Sequence, residues 1–144
     1  MVARPQPRGR ATYRVFRNIT LRWADNDAYG HVNNTVYYEW FDSAVNQWLV
    51  EQGLLNISDG DPIGLVVETG CRYFAPLAFP GEAEVGLAVA AVGGSSITYH
   101  LGIYDADAAA PAAEGHFVHV LVDRMTRRPT PVPENWRAAL ALLR

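Results

Sequence analysis

One long helical pattern stands in a chain that otherwise reads mostly as strands, and it limits what the chain can fold into. Val36, Tyr37, Trp40, Phe41, Ala44, Val45, Trp48 and Leu49 recur at three- and four-residue spacing. This is the mark of an amphipathic helix with a wide apolar stripe. Asn33 or Asn34 can cap its start, because an Asn side-chain oxygen accepts a bond from a free N–H of the first turn. Gly53 is placed to end it as a left-handed residue just past the last turn. Such a helix is roughly 25–30 Å long, enough to cross a small sheet.

The rest supplies that sheet. In the run Ala11–Trp23, the positions Tyr13, Val15, Arg17, Ile19, Leu21 and Trp23 fall on one face of a period-two strand. Four more strands are expected over Ile63–Phe74, Glu82–Val92, Ser96–Tyr104 and Gly115–Asp123. Their connectors Pro76–Gly81, Gly93–Ser95 and Asp105–Pro111 are short, which favours antiparallel neighbours in a meander. Thr126–Pro133 holds three prolines and cannot be regular structure. A short helix follows, from Pro133 to Leu143. Residues 1–10, with Arg4, Arg8, Arg10 and two prolines, read as a disordered tail, and 11–144 as a single domain. The expected class is α+β: one helix on the concave face of one sheet, each burying the other's apolar surface. The sheet keeps an outer face and edges, and dimerisation is a natural cover for them.

Composition narrows the partners. The 144 residues are 49% apolar and 19% charged, as in a globular protein, and carry a net charge of −3. That charge argues against nucleic acid or an anionic membrane surface. No apolar run approaches the roughly 20 residues that span a bilayer. Cys71 is the single cysteine, so no internal disulfide forms and a reducing, cytoplasmic setting is expected. Its apolar, strand-like surroundings read as those of a buried, inert thiol.

Chemistry concentrates between the first strand and the helix, where Arg22 to Asn34 pack two carboxylates, a histidine, an arginine, asparagines and a glycine. Loops held by rigid elements carry function. Asp27 stands just ahead of the helix, where backbone N–H groups can hold a polarised carbonyl or an oxyanion. It is either a general base or nucleophile, or the maker of a turn capping Tyr29 and Gly30. Asp25 has the same two options, with a structural pairing to Arg22 favoured. His31 is a base, an orienter of Asp27, or a hydrogen-bonded loop anchor, the last being favoured. His116 and His119, three apart in a strand, face opposite sides, and His100 has no evident partner, so no metal site is expected. Glu68 and Thr69 sit mid-strand. Thr69 could hold a water or carboxylate in a site, although a solvent-facing pair is the plainer reading.

The segment Asp25-Asn26-Asp27-Ala28-Tyr29-Gly30-His31-Val32-Asn33-Asn34-x-x-Tyr37, running into an aromatic helix, resembles the signature of hotdog-fold acyl-CoA thioesterases of the 4-hydroxybenzoyl-CoA thioesterase type. Supporting matches follow in order: Arg72-Tyr73-x-x-Pro76-Leu77, Gly94-Ser95-Ser96-Ile97, Ala113-Glu114-Gly115 with Val122-Asp123, then Arg128-Pro129 and Pro131-Val132-Pro133. The resemblance spans about residues 14 to 135. It implies a five-stranded antiparallel sheet wrapped around a long helix, in homodimers and often homotetramers with active sites at the dimer interface. It implies that Asp27 is the catalytic carboxylate, as nucleophile or general base, and that the backbone N–H near Asn34 polarises the thioester carbonyl. Gly30 is the candidate for the turn that permits both, with His31, Asn33 and Thr69 as candidate supporting residues. Tyr37 falls on a position that lines the acyl pocket or shapes the turn, and Gly94, Ser95 and Ser96 fall near the pantetheine arm. Gly93-Gly94 lacks the basic residues that some members use for the nucleotide phosphates; Arg72, Arg127 or Arg128 are the candidates in their place. The implied substrate is an acyl-CoA, or an acyl carrier protein as the alternative, and hydrolysis needs no cofactor. A non-hydrolytic acyl- or aromatic-ligand module and a dehydratase are the remaining rivals.

Overall fold

The computed structural model describes residues 6–144. Five strands, β1 (Val15–Thr20), β2 (Ile63–Tyr73), β3 (Glu82–Val92), β4 (Ser96–Asp105) and β5 (Ala113–Val122), form one antiparallel sheet in the order β1-β3-β4-β5-β2. Helix α1 (Val36–Glu51) lies against β2, β3, β4 and β5, and α2 (Glu134–Leu140) follows the sheet. The class is the α+β arrangement expected from the pattern. At 16 residues, α1 is about 24 Å long. Its stripe of Tyr37, Trp40, Phe41, Ala44, Val45, Trp48 and Leu49 is buried. It packs on Leu87, Tyr99, Leu101, Ile103 and Phe117 of the sheet in one core. Each such large side chain contributes about 1.5–3 kcal/mol on burial, so the aromatic stripe fixes the helix to the sheet. Gly53 ends α1 at φ 72°, with its N–H bonded to the Val50 carbonyl and that of Leu54 to the Leu49 carbonyl, satisfying the last free carbonyls.

The expected meander holds only for β3, β4 and β5. Strand β2 pairs with β5, from Ile63↔Val122 to Tyr73↔Ala113, and forms an edge. The connector 74–81 therefore crosses from one side of the sheet to the other. Its shortness misled because an extended chain gains about 3.3 Å per residue, so this connector reaches roughly 26 Å, while three strand spacings need only about 14 Å.

The outer sheet face shows where the tail expected over residues 1–10 ends. Residues 1–5 lie outside the described residues. From Arg8 onward the chain is tied down. The Arg8 backbone N–H donates to both oxygens of Glu114, at 3.0 and 2.8 Å. The Arg10 guanidinium donates to Glu84 at 2.7 Å and lies 4.6 and 4.5 Å over the Phe16 and Tyr104 rings. Tyr13 belongs to this outer face, not to the Val15–Ile19–Leu21 side, and its hydroxyl donates to the buried Glu114 carboxylate at 3.0 Å. Its ring lies on Gly86 and Gly102, where an added Cβ would come within 2.7 Å of it. Trp23 also leaves the expected face: β1 ends at Thr20, a 3-10 turn takes over at Trp23–Asp25, and the indole is 80% exposed.

His119 is buried on β5 beside Tyr99 and Phe117, and its Nδ1 has no partner among the described residues. Burial alone pushes its pKa down to about 4. The folded state thus keeps His119 neutral where the unfolded chain, at about 6.5, takes up a proton. Stability from this group is full above pH 6.5 and falls as pH drops toward 4. About 1.5 kcal/mol of unfolding free energy is expected to be lost between pH 6.5 and 5. Urea denaturation at both pH values checks this, and His119→Leu is expected to flatten the slope.

Candidate functional site

The loop after β1 is built by bonds that fix each acidic side chain differently. Asp25 is 1% exposed and accepts from the Arg22 N–H at 2.8 Å and from its guanidinium Nε and Nη2 at 3.0 and 2.8 Å. The hydrogen bond and charge of Asp25 raise the Arg22 pKa in return. Asp25 is thus the structural partner of Arg22, as favoured from the sequence. Its carbonyl also accepts the Asn33 N–H at 2.8 Å.

Asp27 is half-buried and two-sided. Oδ1 accepts the Tyr29 N–H at 2.8 Å, the turn-making role. No bond to Oδ2 exists among the described residues. The Asp27 N–H donates to the His31 carbonyl at 2.9 Å, and its carbonyl accepts the Gly30 N–H at 3.1 Å. Gly30 adopts φ 86°, which this tight return requires of a residue without Cβ strain. Around it, Asn26 bridges Val32, the Val32 N–H donates to the Leu77 carbonyl at 2.7 Å, and Asn26 Oδ1 accepts the Phe79 N–H at 3.0 Å. The crossing connector therefore anchors the loop.

The helix start is clamped as well. Asn33 Oδ1 accepts both the Thr35 N–H at 2.9 Å and the Thr35 hydroxyl at 2.8 Å, and the Asn33 carbonyl accepts the Val36 N–H at 3.0 Å. Neither expected cap holds that position: the residue before the helix is Thr35, which makes no side-chain cap bond, and Asn33 instead holds the turn just ahead of it. The Asn34 carbonyl accepts the Tyr73 hydroxyl at 2.7 Å. The Asn34 N–H makes no bond among the described residues, at the end of α1 where unpaired N–H groups carry partial positive charge.

Asp27, His31, Asn34 and Tyr37 line one cavity of about 430 Å³, together with Tyr29, Val32, Tyr73 and the connector residues Phe74, Ala75 and Pro76. Gly30 lines a smaller adjoining hollow with Trp23, Asn26 and Asp27. His31 is exposed, and its Nδ1 lies 3.4 Å from the Val32 carbonyl. Tyr37 is buried, which pushes its pKa to about 12, and the Tyr73 ring meets it edge-on at 5.0 Å. Burial raises Tyr73 as well. Both phenols therefore stay protonated at neutral pH, and that of Tyr73 donates to the Asn34 carbonyl. The sequence reading missed Tyr73, Tyr29 and Phe74 as cavity residues; Tyr73 was visible only as part of the Arg72-Tyr73-x-x-Pro76 match.

Other predicted residues stand apart from this cavity within one chain. Thr69 is exposed on β2, and its hydroxyl donates to the His116 carbonyl at 2.9 Å, while Glu68 pairs with His116 Nε2 at 2.8 Å. Arg72 opens onto a second hollow, of about 410 Å³, with Arg8, Thr98, His100 and His116. His100 does have a partner, being directly across from His116 in the β4–β5 ladder. Burial, and then the charges of Arg8 and His116, lower its pKa. Gly94, Ser95 and Ser96 turn at the far end of β3, held where the Val132 N–H meets the Gly94 carbonyl and the Leu121 N–H the Ser95 carbonyl, both at 2.8 Å. Arg128 is exposed in the loop after β5, at that same far end. Cys71 is half-buried, and burial pushes its thiol up to about 11, so it stays unreactive.

A family model described as the thioesterase-like superfamily matches residues 21–140. The chain belongs to this superfamily. The PA5185 protein of Pseudomonas aeruginosa strain PAO1 is 49% identical, with 97% of each chain covered and a TM-score of 0.92. Slr0204 of Synechocystis, a 1,4-dihydroxy-2-naphthoyl-CoA thioesterase, is 23% identical over 88% of this chain and 94% of its own, with a TM-score of 0.79. YsmA of Bacillus subtilis (strain 168) is 21% identical over 91 residues, 63% of this chain and 61% of its own length. The match from residue 21 takes in the whole Asp25–Tyr37 segment, so the cavity lies inside the shared part of this thioesterase-like chain.

Proposed function

We propose that the chain hydrolyses acyl-CoA thioesters to the free acid and CoA in the cavity beside Asp27. The observation that carries this reading is the meeting, on one cavity, of a carboxylate with an uncommitted oxygen and of an uncommitted backbone N–H at a helix start. In the general-base route, Asp27 takes a proton from water, and the resulting hydroxide attacks the thioester carbon. The Asn34 N–H stabilises the oxyanion, the C–S bond breaks, and the CoA thiolate leaves and takes up a proton. In the nucleophilic route, Asp27 attacks the same carbon, the C–S bond breaks and the CoA thiolate leaves and takes up a proton; water then cleaves the acyl-aspartyl anhydride to the free acid and the Asp27 carboxylate. The same atoms serve both routes, and no cofactor enters either.

A second copy of the chain completes this site. Strand β2 is an edge, with Leu65, Val66 and Val67 exposed at 38%, 46% and 60%, an apolar surface open to pairing with a second strand. Its Tyr73 end lies at the Asn34 helix start, and its Ile63 end lies beside Val122, ahead of Arg128. Antiparallel pairing of two β2 edges about a twofold axis would bring the Ile63 end of one chain beside the Tyr73 end of the other. Gly94, Ser95, Ser96 and Arg128 would then approach the Asp27 cavity of the opposite chain, giving pantetheine and phosphate contacts that one chain lacks. Arg72 and Thr69 would flank the shared edge. Homodimers, and homotetramers built from them, are part of this reading, as is a reducing, cytoplasmic setting for the unpaired Cys71.

A panel of aromatic and aliphatic acyl-CoA thioesters, followed by free-thiol release, tests the proposal. Turnover is expected on at least one acyl class. Ligand binding without thiol release across the panel would overturn hydrolysis and favour a binding module.

A further inference from the structure

Resting on that reading, we infer that Tyr73 is a positioning residue that sets the Asn34 N–H toward the substrate carbonyl. The residue before and the residue after Asn34 are already fixed: the Asn33 N–H donates to Asp25, and the Thr35 N–H and hydroxyl donate to the Asn33 side chain. The Asn34 N–H shares its peptide plane with the Asn33 carbonyl, which accepts the Val36 N–H at 3.0 Å. The Tyr73 hydroxyl braces the plane on the other side of Asn34 by donating to its carbonyl at 2.7 Å. With both planes held and the carbonyl tied to β2, the N–H keeps one direction. The phenol is well suited to this. Its ring is braced edge-on by Tyr37 at 5.0 Å and 89°. Cys71 and Tyr38 are the neighbouring titratable groups, and both, with burial, oppose ionisation of the phenol, so it remains a donor. Tyr73 lines the cavity but acts through the backbone of Asn34.

The bond also ties the helix start to the exposed edge strand. A preorganised donor stabilises charge without reorganising during the reaction, so loosening it affects the transition state more than ground-state binding. Tyr73→Phe keeps the ring and its contact with Tyr37 and removes only the hydroxyl. The expected result is a fall in kcat of about 5- to 10-fold with KM nearly unchanged. The backbone amide order parameter of Asn34, read by NMR relaxation, is expected to fall, while order along α1 stays as in the parent. Unchanged kcat, a loss confined to KM, or an unchanged order parameter at Asn34 would each overturn the inference. If the parent protein releases no thiol from any thioester, the proposed function falls, and the relaxation measurement alone decides whether Tyr73 orders Asn34.

Discussion

Asp27→Asn is expected to lower thioester turnover by at least about 100-fold while the fold is retained. The reason lies in the division of labour between its two oxygens. Oδ1 accepts the Tyr29 N–H at 2.8 Å, and an Asn oxygen accepts the same bond, so the turn survives. The second position becomes an amide nitrogen, which neither takes a proton from water nor attacks a carbonyl. Asp27→Ala is expected to match that kinetic loss and to lose about 1 kcal/mol of stability as well, because the Tyr29 N–H is then left without its acceptor. Thiol release on acyl-CoA substrates, paired with urea unfolding of both variants, separates the two effects. Full activity in Asp27→Asn would remove Asp27 from the chemistry and leave it a turn residue.

That division explains why the sequence left Asp27 open between turn-making and catalysis. The alternatives are not exclusive: a carboxylate has two oxygens, and here one makes the turn. Asp25 shows the contrasting case. Among the described residues both of its carboxylate oxygens accept from Arg22 alone, and it is shut off from solvent at 1% exposure. Helix periodicity located α1 and its buried face, and Gly53 marked its end, because these depend on local pattern and local backbone freedom. Strand order was less legible. Connector length bounds how far apart two strands can lie, but it does not say that they touch, and connector 74–81 reaches past two strands. The same misreading hid part of the site. Phe74, Ala75 and Pro76 wall the cavity, and Leu77 and Phe79 hold the Asp27 loop, only because that connector crosses. Tyr73 went unseen for a related reason. Its partner, the Asn34 carbonyl, is 39 positions away and is a backbone atom with no residue signature.

The second large effect is expected at a residue with no chemistry. Gly115 on β5 pairs with Cys71 of β2 and Leu101 of β4. A Cβ there would run into the Phe41 ring and lie 2.5 Å from the Gly70 carbonyl oxygen. Neither neighbour can yield cheaply. Phe41 is fully buried in the core at 0% exposure, and Gly70 is backbone of the adjoining strand. Replacing Gly by Ala removes unfolded-chain freedom and on that account stabilises by about 0.4–1 kcal/mol. Overpacking a tight core costs about 1–3 kcal/mol and occasionally more, so the clash wins. Gly115→Ala is expected to lose about 2–3 kcal/mol, lowering Tm by roughly 10 °C. Gly94→Ala, where an added Cβ meets nothing within 4 Å, is the control and is expected to stay within about 0.5 kcal/mol of the parent. Shortening the obstacle should restore stability, so Gly115→Ala with Phe41→Leu is expected to unfold later than the sum of the single losses predicts, the non-additivity of residues in contact. Equal melting of the Gly115 and Gly94 variants would show that α1 has room to move off the sheet. The helix start at Asn34 would then be less firmly placed over β2 than the packing of Phe41 requires.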